Sequence, residues 1–503
     1  MKALNIPDWL KLDQKYRKYF HAMTVLFGIY VLPIILADRY YQDDLSRSLL
    51  GITGWNNDGR PLTEWIMKWL CGGTPIGDIF PLPLLLSVLL LSYVLTLYIR
   101  RNLPDCGSAF LFACVGFSVI ANPFTLSTLS YRYDCVTMIA ALCASVLPYI
   151  LPHKTALWKV FCFSGVMCMF VFATYQPCCG VYICLGALEL FFMILSSEIR
   201  PLRIITHAAA LCISVPFYYF IVTKRYFADN SWQKSAYRLS FTSGSDFLSS
   251  VMKNLDDFKM RMESYLVGVP VPVLFLFLVL MIGGMVCVSI LIWKKNEPFR
   301  ILRVLYALCL PVLIIAGALL PLVVLTPSIF AISAHTLITL CSFGLWSGIM
   351  IHFLFRRFPQ PVIVLLIPCM LFCFTYSYTY GSALKSQKQY EEYITYNIVR
   401  DLETINADGT CHYLTIDGHM SRSKEVAMLC DKYPLYKHIV PLYINNSSYL
   451  GGAQLQHYMH QNLEYAGLSE EDALSLETCE PVIQNAVYSC FVNEDKIIVR
   501  FHN

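Results

Sequence analysis

The sequence predicts a polytopic α-helical membrane protein of about eleven spans, followed by a small soluble α/β domain. Three observations predict it. Of the 503 residues, 56% are hydrophobic and 14% charged, with mean hydropathy +0.54; a soluble domain carries about a quarter charged residues. Apolar runs long enough to cross a bilayer as helices, about 20 residues each, recur up to residue 379. Charges are sparse before Gly381 and dense after it, which divides the chain into a membrane domain, 1–379, and a soluble domain, 380–503. A net charge of +4, scattered along the chain, excludes a nucleic-acid-binding surface.

The expected spans are 20–37, 79–99, 106–122, 135–151, 157–173, 178–195, 204–222, 269–292, 304–325, 332–355 and 361–379. The first carries Pro33 and no small-residue cleavage site, so it is read as a span and not a signal peptide. Basic residues recur in alternate loops: Lys11, Lys15, Arg17 and Lys18, then Arg100 and Arg101, Lys154, Arg200 and Arg203, Lys294 to Arg303, and Arg356 and Arg357. The positive-inside rule makes these loops cytoplasmic. Eleven spans then place the N-terminus inside and residues 380–503 in the periplasm of a bacterial inner membrane. The outer loops are 38–78 and 223–268; the second carries seven basic residues, which a long loop tolerates.

In chain order, residues 8–20 read as a helix on the inner surface, capped by Asp8, with Trp9, Leu12, Tyr16 and Tyr19 on one face. The first outer loop opens with "DRYYQDDLSRS", residues 38–48, setting Asp43 and Asp44 among aromatics and arginines. It continues into an amphipathic helix that starts at Pro61, carries Leu62, Trp65, Ile66 and Trp69 on one face, and stops at Gly72 and Gly73. That helix is expected to lie flat at the headgroups with its tryptophans in lipid, or else to pack on the spans. In the soluble domain, 385–405 reads as a helix, 412–416 and 438–444 as strands, and "SCFV" and "IIVRF" around Asn493-Glu494-Asp495 as a hairpin.

Sixteen of the twenty cysteines precede residue 380 and read as small apolar residues of the spans. Cys411, Cys430, Cys479 and Cys490 follow it; an even number in an oxidising compartment allows two disulfides in three pairings. Their spacing does not suit zinc. "NNSS" at 445–448 matches a glycosylation acceptor, which carries no meaning in a bacterium.

Polar groups recur at the outer span ends. "NNDGRP" (56–61) holds Asp58 and Arg60, "NPFTLSTLSYRYD" (122–134) holds Arg132 and Asp134, and "TYQP" (174–177) holds Tyr175 and Gln176. Ionisable groups at membrane depth are expensive and default to function. A sugar carried on a lipid phosphate reacts at that depth. Its phosphate is a good leaving group that needs cations, and arginine offers a bidentate fork. The incoming hydroxyl needs a base, and one carboxylate within hydrogen-bond reach suffices. Asp43 or Asp44 is the expected base, each raising the other's proton affinity; Arg60 and Arg132 are the expected phosphate clamp. Tyr40, Tyr41 and Trp55 suit sugar stacking as well as interfacial anchoring. The expected spans hold few charges; His207 and His335 are exceptions and are read as satisfied helix histidines. No cofactor is expected. Paired carboxylates suit a divalent metal, which the arginines make unnecessary. A single inverting displacement is expected, since a retaining route needs a second placed nucleophile.

The order "DD…GRPL…NPF…LSYRYD…YQP" resembles the membrane-embedded GT-C glycosyltransferases. More closely, it is similar to the phage-type serotype-converting O-antigen glucosyltransferases of enteric bacteria. The resemblance covers residues 20–200 in motif and the remainder in layout. It implies a GT-C-like fold, an undecaprenyl-phosphate-glucose donor made and flipped by two partner proteins, and transfer to a sugar of the lipopolysaccharide O-antigen on the periplasmic side. The positions that match are Asp43, Asp44, Arg60, Arg132, Asp134 and Gln176. An O-antigen polymerase or ligase, and a lipid-linked sugar flippase, are the alternatives.

Overall fold

The computed structural model describes residues 7–223, 240–241, 246–445 and 449–502. Most of the loop 223–268 before Asp246, and "NNSS" beyond Asn445, lie outside the described residues. The chain forms two bodies. One comprises 1–32, 53–72 and 79–378; the other comprises 33–52, 73–78 and 379–503. The loop that carries Asp43 and Asp44 therefore belongs to the body of the C-terminal residues.

In the first body, nine helices among the described residues are long and apolar enough to cross a bilayer. The first is α1 (Gln14–Ala37), whose last turn continues into the second body. The expected inner-surface helix over 8–20 is instead a turn at Pro7–Lys11 running into α1, and Asp13, not Asp8, accepts the Tyr16 amide at 3.0 Å. After the short α2 (Asp44–Leu50) and α3 (Pro61–Leu70), α4 (Leu82–Asn102) crosses.

The expected spans 106–122 and 135–151 do not form as such. Asn122 takes the Thr125 amide at 2.8 Å and Pro123 fills the first helical position, so α5 (Ala109–Ile120) stops and α6 (Pro123–Leu129) leaves at 77°. Next, α7 (Cys135–Val146) ends in a tight turn through Ile150, short of a span. The helices α8 (Leu157–Thr174), α9 (Cys179–Ser196), α10 (Pro201–Tyr218), α11 (Phe247–Leu266), α12 (Val271–Lys294), α13 (Arg300–Val323) and α14 (Cys341–Arg357) come next. All except the polar α11 are span-like, α14 together with the 3-10 turn at Ala334–Leu340 that precedes it. On α14, Gly344 and Gly348 let it close on α5: a Cβ at Gly344 would strike the Ser118 carbonyl, and one at Gly348 would meet the Ser118 hydroxyl at 2.5 Å. The interfacial helix α3 turns Thr63, Glu64 and Met67 inward and leaves Trp65 and Trp69 exposed, 65% and 72%. Its tryptophan face is thus turned away from the protein.

The next helix, α15 (Pro359–Ile405), runs unbroken for 47 residues from the final span into the second body, so the helix expected over 385–405 is its continuation. A mixed five-stranded sheet completes this body, in the order β2-β1-β5-β4-β3, with β1 Tyr413–Asp417, β2 Glu464–Tyr465, β3 Ile483–Gln484, β4 Tyr488–Asn493 and β5 Lys496–Phe501. The expected hairpin is β4–β5, turned through Glu494 at φ 54°. Strand β1 lies parallel to both β5 and β2. The strand expected at 438–444 is not one: Tyr436–Ile439 is a helical turn, and residues 441–443 run on outside any ladder. Apolar residues of α15, β1, β4 and β5, among them Ile398, Leu402, Leu414, Ile497 and Val499, make the core. The expected disulfides are not formed. Cys411 and Cys490 are free thiols packed in that core, Cys430 is buried on Lys424–Lys432, and Cys479 is exposed.

Candidate active site

Three helix ends of the first body converge. The turn 54–60 is closed by backbone bonds from Asn57 to Gly54, Asp58 to Trp55 and Arg60 to Trp55, with Gly59 at φ +67°, where a Cβ is disfavoured. It delivers Arg60 to the start of α3. Asp134 stands at the start of α7, and Tyr175 ends α8. The Arg60 guanidinium lies 3.9 Å from Asp134 Oδ2, donates through Nε to Gln176 Oε1 at 3.4 Å, and sits 5.0 Å from the Tyr175 ring centroid. The Trp55 indole donates to Asp134 Oδ2 at 3.1 Å. Gln176 Nε2 donates in turn to the carbonyls of Asp58 and Gly59, at 3.3 and 3.1 Å. Burial opposes the Arg60 charge, but Asp58, Tyr175 and Asp134 outweigh it and hold its pKa above the usual value.

Of the residues expected from the sequence, Arg60, Asp134, Tyr175 and Gln176 are thus one cluster, with Trp55 and Asp58 among them. Arg132 is buried, its guanidinium 4.4 Å from the Phe80 ring. Sequence reasoning missed the supports. The Thr63 hydroxyl donates to the Thr174 carbonyl at 3.1 Å, tying α3 to α8, and the Tyr218 hydroxyl donates to the Gly59 carbonyl. Glu64 accepts from the Thr53 hydroxyl at 2.7 Å and the Asn56 amide at 3.0 Å, bracing the same turn, and pairs with Lys68 at 2.8 Å. His335, read from the sequence as a satisfied helix histidine, stands instead in a 3-10 turn with its ring 5.1 Å from that of Tyr131 and 6.3 Å from that of Tyr175. Nothing in the local sequence marks Thr63 or Tyr218 as supports; such contacts are made by the tertiary fold.

In the second body, Asp44 begins α2 and is completely buried, its Oδ2 accepting the Tyr41 amide at 3.3 Å. Asp43 keeps 37% of its side chain exposed and pairs with Arg47, which donates through Nε at 3.1 Å and Nη2 at 2.5 Å. Around them the loop is stitched to its own body. Arg39 donates to Glu391 at 2.7 Å and to the Pro441 carbonyl at 2.8 Å, Tyr443 donates to the Tyr40 carbonyl at 2.5 Å, and Leu45 packs with Tyr443 and Ala453. Among the described residues no three His, Cys, Asp or Glu side chains gather as a metal set.

A polytopic helical protein with an Arg–Asp–Gln–Tyr cluster at its helix ends has the features of an integral-membrane enzyme. The family model described as glucosyl transferase GtrII matches residues 32–351, more than half of the chain, and the chain belongs to that family. It is also 30% identical, over 224 residues, to a protein of Salmonella phage P22 described as an uncharacterized 55.3 kDa protein in the gtrB 5' region. That match takes in 43% of this chain and 44% of the phage protein, so the chain spans under half the length of that relative. No solved structure matches.

Proposed function

We propose that this glucosyltransferase moves glucose from undecaprenyl-phosphate-glucose to a sugar of the lipopolysaccharide O-antigen, at the periplasmic face of the bacterial inner membrane. The observation that carries the reading is the convergence of Arg60, Asp134, Tyr175 and Gln176 from three helix ends in a chain of the GtrII family. An arginine kept charged by its neighbours suits a leaving lipid phosphate. Among the described residues nine helices are span-like, ten if the bent α5/α6 pair is one span, and the reading rests on the nine, which support opposite sides for the two ends of the membrane portion. With the N-terminus inside by its lysines and arginines, the C-terminal body is periplasmic.

The acceptor hydroxyl oxygen attacks the anomeric carbon. The bond from that carbon to the phosphate oxygen breaks, and its electron pair leaves with the polyprenyl phosphate, whose charge Arg60 and Arg132 take up. The acceptor proton passes to a carboxylate, and the anomeric configuration inverts. Asp43 or Asp44 is the base we assign: Asp43 is partly exposed and paired with Arg47, and Asp44 is buried at the start of α2. The donor synthase and flippase are the partners this substrate requires.

The test is glucose transfer from undecaprenyl-phosphate-glucose to O-antigen in membranes with Asp44→Asn, Asp43→Asn or wild-type protein at matched levels. One of Asp44→Asn and Asp43→Asn is expected to lower the rate about 100-fold or more, and the variant that does so names the base. Equal rates in all three sink the assignment of the base. A wild type that transfers nothing sinks the donor and favours the polymerase, ligase or flippase alternatives.

A further inference from the structure

The Tyr175 side chain is fully buried, and its hydroxyl meets no hydrogen-bond partner among the described residues. Such a group costs stability unless something satisfies it. It stands in the cluster just described, under the Arg60 guanidinium, and the half-buried His335 ring shares its face at 29° and 6.3 Å. His335 is held in two ways. Its carbonyl accepts the Thr128 hydroxyl of α6 at 3.2 Å, and its Nδ1 lies 3.3 Å from the Tyr131 hydroxyl. It sits in the 3-10 turn Ala334–Leu340 that opens the span-like stretch Ala334–Arg357. The turn thus presents an imidazole to the same Tyr175 ring that the Arg60 guanidinium faces.

We infer that the Tyr175 hydroxyl and His335 are, with Arg60, the subsite for the phosphate of the lipid-linked donor. This rests on the donor class proposed above and adds His335 to it. A phosphate oxygen satisfies the phenol, which donates to it. The guanidinium and an imidazole N–H supply two further donors of the kind phosphates accept. No bond is made or broken at these residues; they bind the phosphate and hold it as its charge grows.

The experiment measures binding of undecaprenyl phosphate to the full-length protein in phosphatidylglycerol nanodiscs, with phosphatidic acid and inorganic phosphate as comparison ligands. Each variant's melting temperature is recorded alongside. Tyr175→Phe removes a hydroxyl with no partner, so a purely structural residue would keep both the melting temperature and the binding. We expect the melting temperature to hold or rise while undecaprenyl phosphate binds about tenfold or more weakly. His335→Ala and the milder His335→Gln are expected to lose binding in the same order. Phosphatidic acid competing through the same residues would make the subsite one for lipid phosphates at large; competition by inorganic phosphate alone would overturn it. Variants that bind as wild type does overturn the inference, as does a wild type that binds no undecaprenyl phosphate. A wild type that binds it yet transfers no glucose leaves the subsite standing and removes the sugar from the proposed function.

Discussion

The Arg39–Glu391 pair sets the sharpest test of how the carboxylate loop is held. Both side chains are all but buried, 3% and 2% exposed, at 2.7 Å. Glu391 also accepts from Gln387 at 3.1 Å and from the Tyr443 amide at 3.4 Å, and Arg39 also donates to the Pro441 carbonyl at 2.8 Å. Removing one partner strands a charge out of water, which costs about 3–5 kcal/mol. For a body of this size each kcal/mol lowers the melting temperature by roughly 2–4 °C, so Arg39→Met or Glu391→Leu alone should lower it by about 6–20 °C. The double variant strands no charge and should recover a coupling energy of about 1.5–3 kcal/mol, leaving as the residual cost the Pro441 carbonyl and the Gln387 and Tyr443 donors that lose their acceptor. The assay is thermal unfolding of the purified protein in detergent, with glucose transfer measured well below each transition. Arg39 lies five residues before Asp44, so transfer should fall in the single variants and partly return in the double one. Single variants that melt within about 1 °C of wild type, or a double variant whose loss is the sum of the two, would refute the reasoning.

Other outcomes rest on single contacts. Gly344→Ala should lower the melting temperature, at about 1–3 kcal/mol, because its methyl meets the Ser118 backbone and not a movable side chain; an unchanged melting temperature refutes the close α5–α14 approach. Asp472 is held below the usual carboxylate range: burial works against its charge, but Lys496 at 2.8 Å and the Ser469 amide and hydroxyl outweigh it. The unfolded carboxyl titrates near 3.9, so the stabilisation is complete above that pH and is lost as pH falls through the lower folded value. Protection of 469–496 against hydrogen exchange should thus be insensitive to pH from 5 to 8 and fall in acid, and Asp472→Asn should abolish that acid dependence. Alkylation of the unfolded protein should find the same number of thiols with and without prior reduction, and in the native protein Cys479 should react first, ahead of Cys411, Cys430 and Cys490.

Much of the fold was legible because hydropathy is additive along a chain. Runs such as 79–99 and 269–292 became α4 and α12 within a few residues. The hairpin around Asn493 was legible because alternation and a turn lie next to each other in sequence. The spans 106–122 and 135–151 were misread for a physical reason: apolar composition says that a segment belongs in lipid, not that it continues straight. The signal for the break was present in "NPF", a capping Asn before a Pro at the first helical position, set within an apolar run. The strand expected at 438–444 failed because its alternation marks extended chain, not a partner. In the site, Arg60, Asp134, Tyr175 and Gln176 were legible as polar residues at helix ends, whereas Thr63, Tyr218 and His335 became visible through contacts 111, 159 and 204 residues away in sequence.

The candidate site gathers at helix ends and irregular backbone, and the misread segments 106–122 and 135–151 flank one part of it, the stretch that carries Asp134. Arg60 precedes α3, Asp134 precedes α7, Tyr175 ends α8, and His335 occupies a 3-10 turn before α14. In lipid, irregular backbone is tolerated only where protein or a polar cavity satisfies it. A straight eleven-helix bundle would have no such backbone to offer and would present only side chains to a phosphate. Breaking α5 at Asn122 and cutting α7 short frees the stretch 130–134, and with it Tyr131, Arg132 and Asp134, at the start of a helix whose first amides carry a partial positive charge. The same geometry makes the start of α3 and the start of α7 suited to anions. On the proposed reading, the departure from simple spans serves to hold a charged leaving group at headgroup depth. It also explains why the polar residues lie in short motifs separated by apolar helices and not in one contiguous signature.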